Sequence, residues 1–511
     1  MAVAKILAAS VVGLEALPIE VEADISSGLP AFNMVGLPDK AVEESKERVR
    51  AAIKNSSAKM ADRRLTVNLA PADLPKSGPA FDLAIAVGIL AASEQIPTFL
   101  NSHENLFLGE LSLDGKLRRI SGILPMALMA KKSSIQKIYL PESNLAEAEL
   151  VAGLDLYPVS SLKQLIYHLK MEKQISKIKS AGKLTLDKDE LYDFDMAYIA
   201  GQEQAKRALE VAAAGAHNVL MSGPPGSGKT LLARAMPSIM PKMTPEESLE
   251  ITKIYSVAGI LPYDSPLISS RPFRSPHHTA SNISLVGGGA HPRPGEVTLA
   301  HKGVLFLDEL PEFGRAVLEA LRQPLEDRII TISRALGTLQ FPAHFTLVAA
   351  MNPCPCGYLN DPKRQCVCGP SQIMHYQKKI SGPLVDRIDI HIEIPAVKLE
   401  KLTSEKVSEE SAKIRKRVES ARDRQRTRFS DLKILTNSEM KVQDIKKFCQ
   451  LDEKSQNLLK NAAMQLNLSA RAYHRVLKLA RTIADLENST QIHPQHLAEA
   501  LQYRPKDQNM Y

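Results

Sequence analysis

The chain lacks any stretch of about 18 uncharged apolar residues, the length that a membrane-spanning helix requires. The apolar segment at residues 6–12 is followed by four acidic residues and no convincing cleavage site, so it does not match a signal peptide. Five cysteines are too few, and too clustered, for a disulfide framework in 511 residues. These absences predict a cytoplasmic protein without a membrane partner.

The composition is that of an ordinary soluble protein, with 44% hydrophobic and 24% charged residues. A chain of 511 residues is too long for a single hydrophobic core, so several domains are expected. The formal net charge of +8 favours an anionic partner, with nucleic acid as the first candidate. Many basic enzymes bind only small anions, so the charge by itself leaves the partner open.

A glycine-rich motif carries the strongest functional signal. It lies between a predicted strand at residues 219–221 and a predicted helix at residues 231–236. The motif reads Gly223-Pro224-Pro225-Gly226-Ser227-Gly228-Lys229-Thr230. This order is that of a phosphate-binding loop, in which backbone N–H groups and a helix N-terminus face a triphosphate. We expect Lys229 to reach the β- and γ-phosphates of ATP, and Thr230 to bind Mg²⁺.

Two later strand patterns end in polar residues. Residues 303–307 lead into Asp308 and Glu309, and residues 345–351 lead into Asn352. We expect Asp308 to orient Mg²⁺, and Glu309 to polarise the attacking water. Asn352 would position the same water by hydrogen bonding.

Four of the five cysteines form two Cys-x-Cys pairs within fifteen residues. They are Cys354, Cys356, Cys366 and Cys368. Thiolates at this density suit tetrahedral Zn²⁺, although Cys-x-Cys is tighter than the commoner Cys-x2-Cys spacing. The pattern predicts a structural zinc site, and redox-active or free thiols are the alternative.

Two arginines are candidates for contacts with the nucleotide. Arg387 precedes alternating isoleucines that predict a strand, and it is placed to reach the γ-phosphate of a neighbouring subunit. Arg471 begins a helical pattern near the C-terminus and is the candidate lid arginine that senses the phosphates. The apolar stripe of that helix is Ala472, Val476, Leu479, Ile483 and Leu486.

The segment at residues 271–296 has no simple periodicity. Its basic side chains are Arg271, Arg274, His277, His278 and Arg293. Adjacent histidines invite a metal site, but no third ligand lies at a usual spacing. The segment is predicted to be a glycine-hinged loop that moves with nucleotide state and meets DNA phosphates, with an inert surface loop as the alternative. A basic helix pattern at residues 413–428 indicates a solvated face or a DNA-facing one.

The order of strand and helix patterns in residues 1–168 resembles the proteolytic domain of Lon-type proteases and the C-terminal domain of RadA proteins. In the Lon family, a Lys-x-Gly-Pro segment precedes the catalytic serine, and a Gly-Gly-Ile segment precedes the catalytic lysine. The matching positions here are Ala80 and Leu124. A Ser-Lys pair needs a hydroxyl nucleophile and an amine base, so peptide hydrolysis is not expected.

These patterns predict an α/β protein with three domains. A Lon-like α+β domain without the Ser-Lys pair covers residues 1–168, and a lysine-rich linker covers residues 169–195. A P-loop ATPase core with a parallel sheet and the cysteine cluster covers residues 196–400. A helical lid covers residues 401–511.

The order of phosphate loop, acidic strand end, Asn352, Arg387 and Arg471 resembles the AAA+ ATPases. Residues 271–279 and 303–309 are similar to the magnesium-chelatase-like branch of that group. With the N-terminal domain and the cysteine pairs, the whole chain resembles the ComM family of bacterial competence proteins. That resemblance implies a homo-hexameric DNA helicase that drives branch migration on single-stranded or branched DNA during natural transformation, with recombination proteins as partners.

Two other functions compete with a DNA motor. A magnesium-chelatase-type motor would share the ATPase core and remodel a protein partner, but that subunit type lacks the N-terminal domain and the cysteine pairs. An ATP-driven protease is opposed by Ala80 and Leu124. Stimulation of ATP hydrolysis by DNA would distinguish the three, because similarity of fold does not settle function.

Overall fold

The computed structural model describes residues 3–74, 76, 78–97, 104–182, 192–263, 265–289, 292–334, 337–359, 361, 364–396 and 408–505. The chain forms two compact units and passes between them more than once. Unit 1 contains Met1–Asp187, Pro245–Ile268 and Ala290–Arg293. Unit 2 contains Lys188–Thr244, Ser269–Gly289 and Pro294–Tyr511. The predicted boundary between ATPase core and lid, at residues 400 and 401, lies outside the described residues.

The strands are numbered in chain order. They are β1 Ala4–Val12, β2 Glu15–Ser26, β3 Ala31–Val35, β4 Arg64–Ala70, β5 Asn105–Phe107, β6 Glu110–Leu111, β7 Leu117–Arg118, β8 Lys137–Pro141, β9 Asp155–Val159, β10 Ile178–Lys179, β11 Val219–Ser222, β12 Phe273–Arg274, β13 Gly287–Gly288, β14 Arg293–Pro294, β15 Val304–Leu307, β16 Ile329–Arg334, β17 Gly337–Pro342, β18 Thr346–Met351 and β19 Ile390–Glu393.

The α-helices are numbered in the same way, and short 3₁₀ turns are left unnumbered. They are α1 Lys40–Asn55, α2 Asp82–Ala92, α3 Ile123–Lys132, α4 Leu145–Ala148, α5 Leu162–Leu169, α6 Glu203–Gly215, α7 Lys229–Ile239, α8 Pro245–Ala258, α9 Asn282–Val286, α10 Glu296–Leu299, α11 Arg315–Ala320, α12 Arg322–Asp327, α13 Pro370–Gln377, α14 Gly382–Val385, α15 Ser411–Arg428, α16 Val442–Phe448, α17 Glu453–Gln465, α18 Ala470–Leu486 and α19 Pro494–Gln502.

Unit 1 is built on an eight-stranded mixed sheet with the order β10-β9-β8-β5-β1-β2-β4-β3. β1 and β4 both pair antiparallel with β2, whereas β5, β8 and β9 run parallel to one another. Most of β2 alternates between buried and partly buried residues, as expected for a strand with one face on a core. β6 and β7 form a separate antiparallel hairpin, whereas β5 pairs with β1 and β8 in the main sheet.

Two helices pack against this sheet and against each other. α1 begins after Asp39, whose side chain accepts a hydrogen bond from the N–H of Val42 at 2.8 Å and so caps the helix. α2 packs on β1 and β2 and is buried from Asp82 to Ala91. Arg48 of α1 forms an ion pair with Asp82, with its Nε 2.7 Å from Oδ2. Burial raises the pKa of Asp82 to about 6, although Arg48 acts in the opposite direction.

Unit 1 includes α8, although this helix lies between α7 and β12 in the chain. The N–H of Gly122 donates to the carbonyl oxygen of Ser256 at 3.0 Å, and the Ser256 hydroxyl donates to Glu147 at 2.5 Å. Glu147 also accepts from the N–H of Leu124 at 2.9 Å, and burial raises the pKa of this carboxyl. The N-terminal domain was predicted to end at residue 168, which leaves out α8. The contact between Glu147 and Ser256 joins residues more than 100 positions apart, so no local pattern indicates it.

The segment predicted as a linker, residues 169–195, contains a short strand. β10 pairs antiparallel with β9, with Ile178 opposite Leu156 and Lys179 opposite Asp155. Residues 183–191 of the segment lie outside the described residues.

Unit 2 contains a five-stranded sheet with the order β12-β15-β18-β11-β19, and the neighbouring strands run parallel. β15 and β18 are buried along their whole length, as expected for parallel strands covered on both faces. Because all five strands run in one direction, the polar residues that follow β11, β15 and β18 meet at the same edge of the sheet.

The C-terminal part of unit 2 is helical. In α18 the residues Val476, Leu479, Ile483 and Leu486 are buried, which confirms the predicted stripe, while Ala472 is only partly buried. The predicted fold class is therefore confirmed: a mixed α/β protein with a parallel P-loop sheet and a helical C-terminal region. No helix within the described residues is both long and apolar enough to cross a membrane.

Candidate nucleotide site and metal centre

The loop between β11 and α7 has the geometry expected of a phosphate-binding loop. Gly228 has a φ of +90°, a left-handed conformation that L side chains rarely adopt. A Cβ on Gly223 would lie 2.2 Å from the carbonyl oxygen of Ile394, so a side chain does not fit there. The loop leads directly into the N-terminus of α7, where unpaired N–H groups favour anions.

The ammonium of Lys229 lies inside this loop. Its Nζ donates to the carbonyl oxygens of Gly223 at 2.6 Å and Pro224 at 2.9 Å. It also lies 3.3 Å from Oδ1 of Asn352, at the end of β18. Burial lowers the pKa of Lys229, against the opposing effect of nearby carboxylates. The structure therefore brings together two residues that the sequence predicted for the same site.

Thr230 and Asp308 form the second predicted pair. The Thr230 hydroxyl donates to Oδ2 of Asp308 at 2.9 Å, and Oδ1 of Asp308 accepts from the N–H of Glu309 at 3.0 Å. A hydroxyl oxygen beside a carboxylate is the kind of ligand set that Mg²⁺ prefers. The donor types and their separation thus fit the predicted magnesium site.

Glu309 has an unusual backbone conformation and an unforeseen neighbour. Its φ is +52°, which is uncommon for a residue with a side chain. Its Oε2 lies 3.7 Å from Nδ1 of His278, whose ring lies against that of His277 with centroids 4.1 Å apart. The histidine pair was interpreted as part of a loop that meets DNA phosphates. Its proximity to Glu309 follows from the parallel pairing of β12 with β15, because residues beyond the ends of neighbouring parallel strands meet.

Arg387 lies among a different set of residues. Its guanidinium donates to Glu326 and to the carbonyl oxygen of Pro383. Its Nε is buried and has no hydrogen-bond partner within the described part of the chain. A buried donor without a partner is costly, and it marks this side chain as one that could donate to a further group.

The lid arginine candidate is also paired outside the phosphate loop. Arg471 lies 3.7 Å from Asp386, the residue directly before Arg387. Arg475, one turn further along α18, donates to the carbonyl oxygen of Asp386 at 2.7 Å and lies 3.7 Å from Asp389. The lid helix therefore contacts the segment that carries Arg387.

A buried histidine extends this network, and the sequence analysis did not identify it. His217, which precedes β11, lies 3.0 Å from Asp389 through Nδ1 and 2.9 Å from Thr482 through Nε2. Thr482 belongs to α18, so His217 links the parallel sheet to the lid. Nothing in the spacing of these residues would have indicated the contact.

Two arginines that were predicted to meet DNA are engaged within unit 2. Arg271 is buried and donates to the carbonyl oxygens of Pro241 at 2.5 Å and Lys302 at 2.7 Å. Arg274 forms a two-point ion pair with Glu296 at 2.6 and 2.8 Å. The expectation of a phosphate contact is wrong for Arg271, because its buried guanidinium stabilises the loop through these carbonyl oxygens. The ion pair of Arg274 likewise leaves it poorly placed for phosphate.

Half of the basic residues of α15 likewise contact neighbouring elements. Arg417 pairs with Glu210 at 2.6 Å, and Arg428 pairs with the buried Asp485. Arg422 donates to the carbonyl oxygen of Ala213 at 2.9 Å. These contacts attach α15 to its neighbours and leave less of its charge for a DNA-facing surface.

The four clustered cysteines converge. Their sulfur atoms all lie within 4.8 Å of one another. The Cys354 sulfur lies 3.4 Å from that of Cys356 and 3.7 Å from that of Cys366, and Cys356 and Cys366 are 3.6 Å apart. Four sulfurs at about 2.3 Å from a central Zn²⁺ would be about 3.8 Å apart, so the set fits a tetrahedral site. Cys449 is buried elsewhere.

Family models match most of the chain. Residues 195–402 match "Magnesium chelatase, subunit ChlI", residues 21–144 match "Subunit ChlI of Mg-chelatase", and residues 408–504 match "Magnesium chelatase, subunit ChlI C-terminal". The first of these contains the phosphate loop, Asp308, Glu309, Asn352 and the cysteine cluster.

Whole-length relatives agree with these matches. The chain is 44% identical to Competence protein ComM of Haemophilus influenzae over 99% of this chain and 98% of that protein. It is 42% identical to the Escherichia coli K12 protein YifB over 97% of this chain and 96% of that protein. A shorter likeness, 25% identity to Lon protease 2 of Bacillus subtilis, covers 27% of this chain and 26% of that protein. The chain therefore belongs to the ComM family, whose members share the AAA+ ATPase core of magnesium chelatase subunit ChlI.

Proposed function

We propose that the chain is an ATPase whose hydrolysis cycle drives movement on DNA, as a helicase or branch-migration motor. The observation that supports it best is the convergence of five predicted residues at one edge of the parallel sheet. They are Lys229, Thr230, Asp308, Glu309 and Asn352. Chemistry-bearing side chains from three separate strand ends meet there, which is the usual place for a ligand in an open parallel sheet.

The substrate of this site is ATP. Lys229 and the N–H groups of residues 223–228 would bind its phosphates, as the helix N-terminus favours anions. Thr230 and Asp308 would hold Mg²⁺, which supplies positive charge to the phosphate oxygens. Glu309 would accept a proton from the attacking water, and Asn352 would orient that water by hydrogen bonding. In the present structure Asn352 instead accepts from Lys229, so it is already directed into the site.

The active form is proposed to be a ring of six copies, in which each Arg387 completes the site of the next copy. The Nε of Arg387 is buried and has no hydrogen-bond partner in the described part of unit 2. This supports a role in which the guanidinium donates to a group of another copy. Head-to-tail contacts of this kind close into rings when the rotation permits. Six is the number that the likeness to AAA+ ATPases implies.

Mixing two inactive variants tests the shared site. Arg387→Ala and Glu309→Gln subunits should each be inactive alone, and their mixture should regain part of the ATPase activity, because some interfaces then hold an intact Glu309 and an intact Arg387. Mixtures of Glu309→Gln with Lys229→Ala place both defects in the nucleotide-binding subunit and should recover nothing. Equal recovery in both mixtures would contradict the assignment of Arg387.

DNA is the proposed track because of the charge of the chain and the relatives that it matches. The net charge is +8, and the relative with 44% identity is named a competence protein. The exposed side chains of His277 and Arg293 are the remaining candidates for phosphate contacts in the segment 271–296. Such contacts do not depend on sequence and weaken as salt rises.

Stimulation of ATP hydrolysis by DNA is the decisive measurement. The hydrolysis rate should rise when a four-way junction or single-stranded DNA is added at low salt, and the increase should shrink at high salt. Lys229→Ala is the matched negative control. If an assembled ring neither binds branched DNA at low salt nor hydrolyses ATP faster in its presence, the DNA assignment is wrong.

The second candidate is a magnesium-chelatase-type motor that remodels a protein partner. The three ChlI matches along the chain favour it. In that case ATP hydrolysis would be unaffected by DNA and would respond to a protein partner instead.

The cysteine cluster is proposed to hold structural Zn²⁺, because all four ligands of a closed tetrahedron come from the protein. Elemental analysis of the purified protein should find about one zinc per chain. Cys366→Ser should lose it, whereas Cys449→Ala, at the buried cysteine outside the cluster, should keep it. Folded, purified protein that contains no zinc would contradict this site.

A further inference from the structure

The cysteine loop begins where the nucleotide site ends. Asn352, which contacts Lys229 at 3.3 Å, is separated from the first cluster cysteine by one residue. The intervening residue, Pro353, accepts a hydrogen bond through its carbonyl oxygen from Gln377 of α13 at 3.3 Å. The segment that would carry the metal is thus directly continuous with a residue that touches the phosphate loop.

The same loop contacts the phosphate loop at a second point. The chain turns at Gly357, which has a φ of +85° and donates its N–H to the carbonyl oxygen of Cys354 at 3.0 Å. A Cβ on Gly357 would lie 2.5 Å from Cδ and 2.8 Å from Cγ of Pro225. Real Cβ atoms are essentially never that close to another heavy atom. The backbone of the cysteine loop therefore lies directly against the ring of a phosphate-loop residue.

The metal is what would hold this contact in place. Without a metal the cysteine thiols are only weak hydrogen-bond partners, so the loop would lose its cross-link. The phosphate loop binds through several N–H groups aimed at one point, so small displacements of Pro225 would reduce its affinity. Holding a binding loop in its bound conformation increases affinity by lowering the cost of ordering it.

We propose that the metal bound by the four cysteines controls ATP affinity, because the cysteine loop supports the phosphate loop through the contact of Gly357 with Pro225. Gly357 is in this sense a positioning residue. The inference rests on the proposed ATP and zinc sites and does not depend on DNA or on ring formation. It predicts that metal and nucleotide bind with positive cooperativity.

Thermodynamic reciprocity provides the first test. If metal increases ATP affinity by some factor, ATP must increase metal affinity by the same factor, typically about 5- to 150-fold for coupled sites. Zinc would be removed from the full chain by a colorimetric chelator, with and without a non-hydrolysable ATP analogue. The analogue should raise the chelator concentration needed for half removal, and zinc removal should weaken analogue binding by the same factor. Identical zinc release in both conditions would overturn the inference.

Two glycine variants provide the second test. Gly357→Ala should weaken binding of a fluorescent ATP analogue at least about fivefold, the lower end of typical coupling. Gly369→Ala, directly after the last cluster cysteine, is the matched control, because the nearest atom to its Cβ would be 4.0 Å away. Gly369→Ala should keep wild-type affinity. Equal affinities of the two variants would overturn the inference.

A double-mutant cycle locates the effect at the contact. Pro225→Ala removes the ring atoms that the new Cβ would overlap, so Gly357→Ala should cost less in that background than in the wild type. Additive effects would place the defect elsewhere and contradict the proposed contact. Wild-type protein that binds no ATP at all would overturn the proposed function together with this inference, whereas normal ATP binding with no zinc dependence would overturn this inference alone.

Discussion

The two units of this chain treat their predicted catalytic positions in opposite ways. At one edge of the sheet in unit 2, side chains with a charge or a hydroxyl converge, including Lys229 at 8% exposure, Thr230 and Asp308. In unit 1, the positions that match the Lon-type nucleophile and base hold Ala80, at 9% exposure, and Leu124, at 0%. The sheet edge in unit 2 presents polar groups that a substrate could contact, whereas the two positions in unit 1 hold apolar side chains that pack in the core.

The buried carboxylates Asp82 and Glu147 of unit 1 are satisfied within the unit. Asp82 is bound by Arg48 and by the N–H of Leu111, and Glu147 is bound by the N–H of Leu124 and by Ser256. These hydrogen bonds and ion pairs lower the free-energy cost of burying the carboxylates, and they leave few acceptor positions on the carboxylate oxygens for a ligand. The comparison therefore supports the placement of the proposed chemistry in unit 2, whereas these two carboxylates of unit 1 serve its internal packing.

The largest effect is expected from Lys229→Ala. Loss of charge-assisted contacts to the phosphates costs about 3 kcal/mol or more, which is roughly a hundredfold in ATP affinity. Equilibrium binding of a fluorescent ATP analogue measures it. Lys416→Ala, on the exposed side of α15, is the control and should bind normally. Unchanged affinity in Lys229→Ala would remove the basis for placing chemistry in unit 2.

Glu309→Gln should separate binding from hydrolysis. The change keeps the shape of the side chain but removes the base, so ATP should bind while turnover falls about 10²- to 10⁴-fold. Glu312→Gln, three residues further along and paired with Lys379 at 3.1 Å, is the matched control. Normal turnover in Glu309→Gln would sink the assignment of the base.

Arg48→Met should test the structural role of polar groups in unit 1. Asp82 would be left as a buried carboxylate without its partner, at a cost of about 3–5 kcal/mol when ionised. The folded pKa of Asp82 is about 6, above its ordinary value of 3.8, and loss of Arg48 would raise it further. The native state thus retains a proton that the unfolded chain has released, and the contribution of this group to stability falls as pH rises through about 6.

The loss of stability in Arg48→Met should therefore be larger at pH 8 than at pH 5. Urea unfolding followed by circular dichroism at both pH values measures it. Arg50→Met, at an exposed site with only a 3.7 Å contact to Glu47, should change stability little at either pH. A loss in Arg48→Met that does not depend on pH would show that Asp82 is not the group responsible.

The smallest effect is expected from Ala80→Ser. The new hydroxyl would have no amine base at position 124, where a fully buried leucine stands, so no peptide hydrolysis should appear. Degradation of fluorescently labelled casein with ATP and Mg²⁺ should equal the buffer control for both the wild type and the variant. Cleavage above that level would contradict the prediction that unit 1 does not hydrolyse peptides.

Several elements could be predicted because their evidence is local in the sequence. The motif at residues 223–230 requires its backbone geometry wherever a strand precedes it and a helix follows it. The apolar stripe of α18 follows from periodicity in a single segment. The two Cys-x-Cys pairs predict a shared metal ion, because thiols so close in sequence can reach one point.

Other contacts could not be predicted, since they depend on which strands become neighbours. His278 was interpreted as a contact to DNA phosphates, whereas β12 beside β15 brings it within 3.7 Å of Glu309. Arg271 was interpreted as a DNA contact because it is basic and lies in an irregular segment. Its burial against the carbonyl oxygens of Pro241 and Lys302 follows from the packing of the chain around it.

The sequence by itself determined which residues carry the proposed chemistry, namely the phosphate loop, the acidic strand end and the clustered thiols, and it determined the absence of a Ser-Lys pair at positions 80 and 124. Only the tertiary structure decided which of the basic residues are engaged and which elements belong together. The helix α8 packs in unit 1 although it follows the phosphate-loop helix in the chain, and Gly357 lies against Pro225, 132 residue numbers away. A motif can be recognised from the sequence because a few neighbouring residues set its backbone geometry. The contact partners of a side chain cannot, because its burial and its pairing depend on the whole fold.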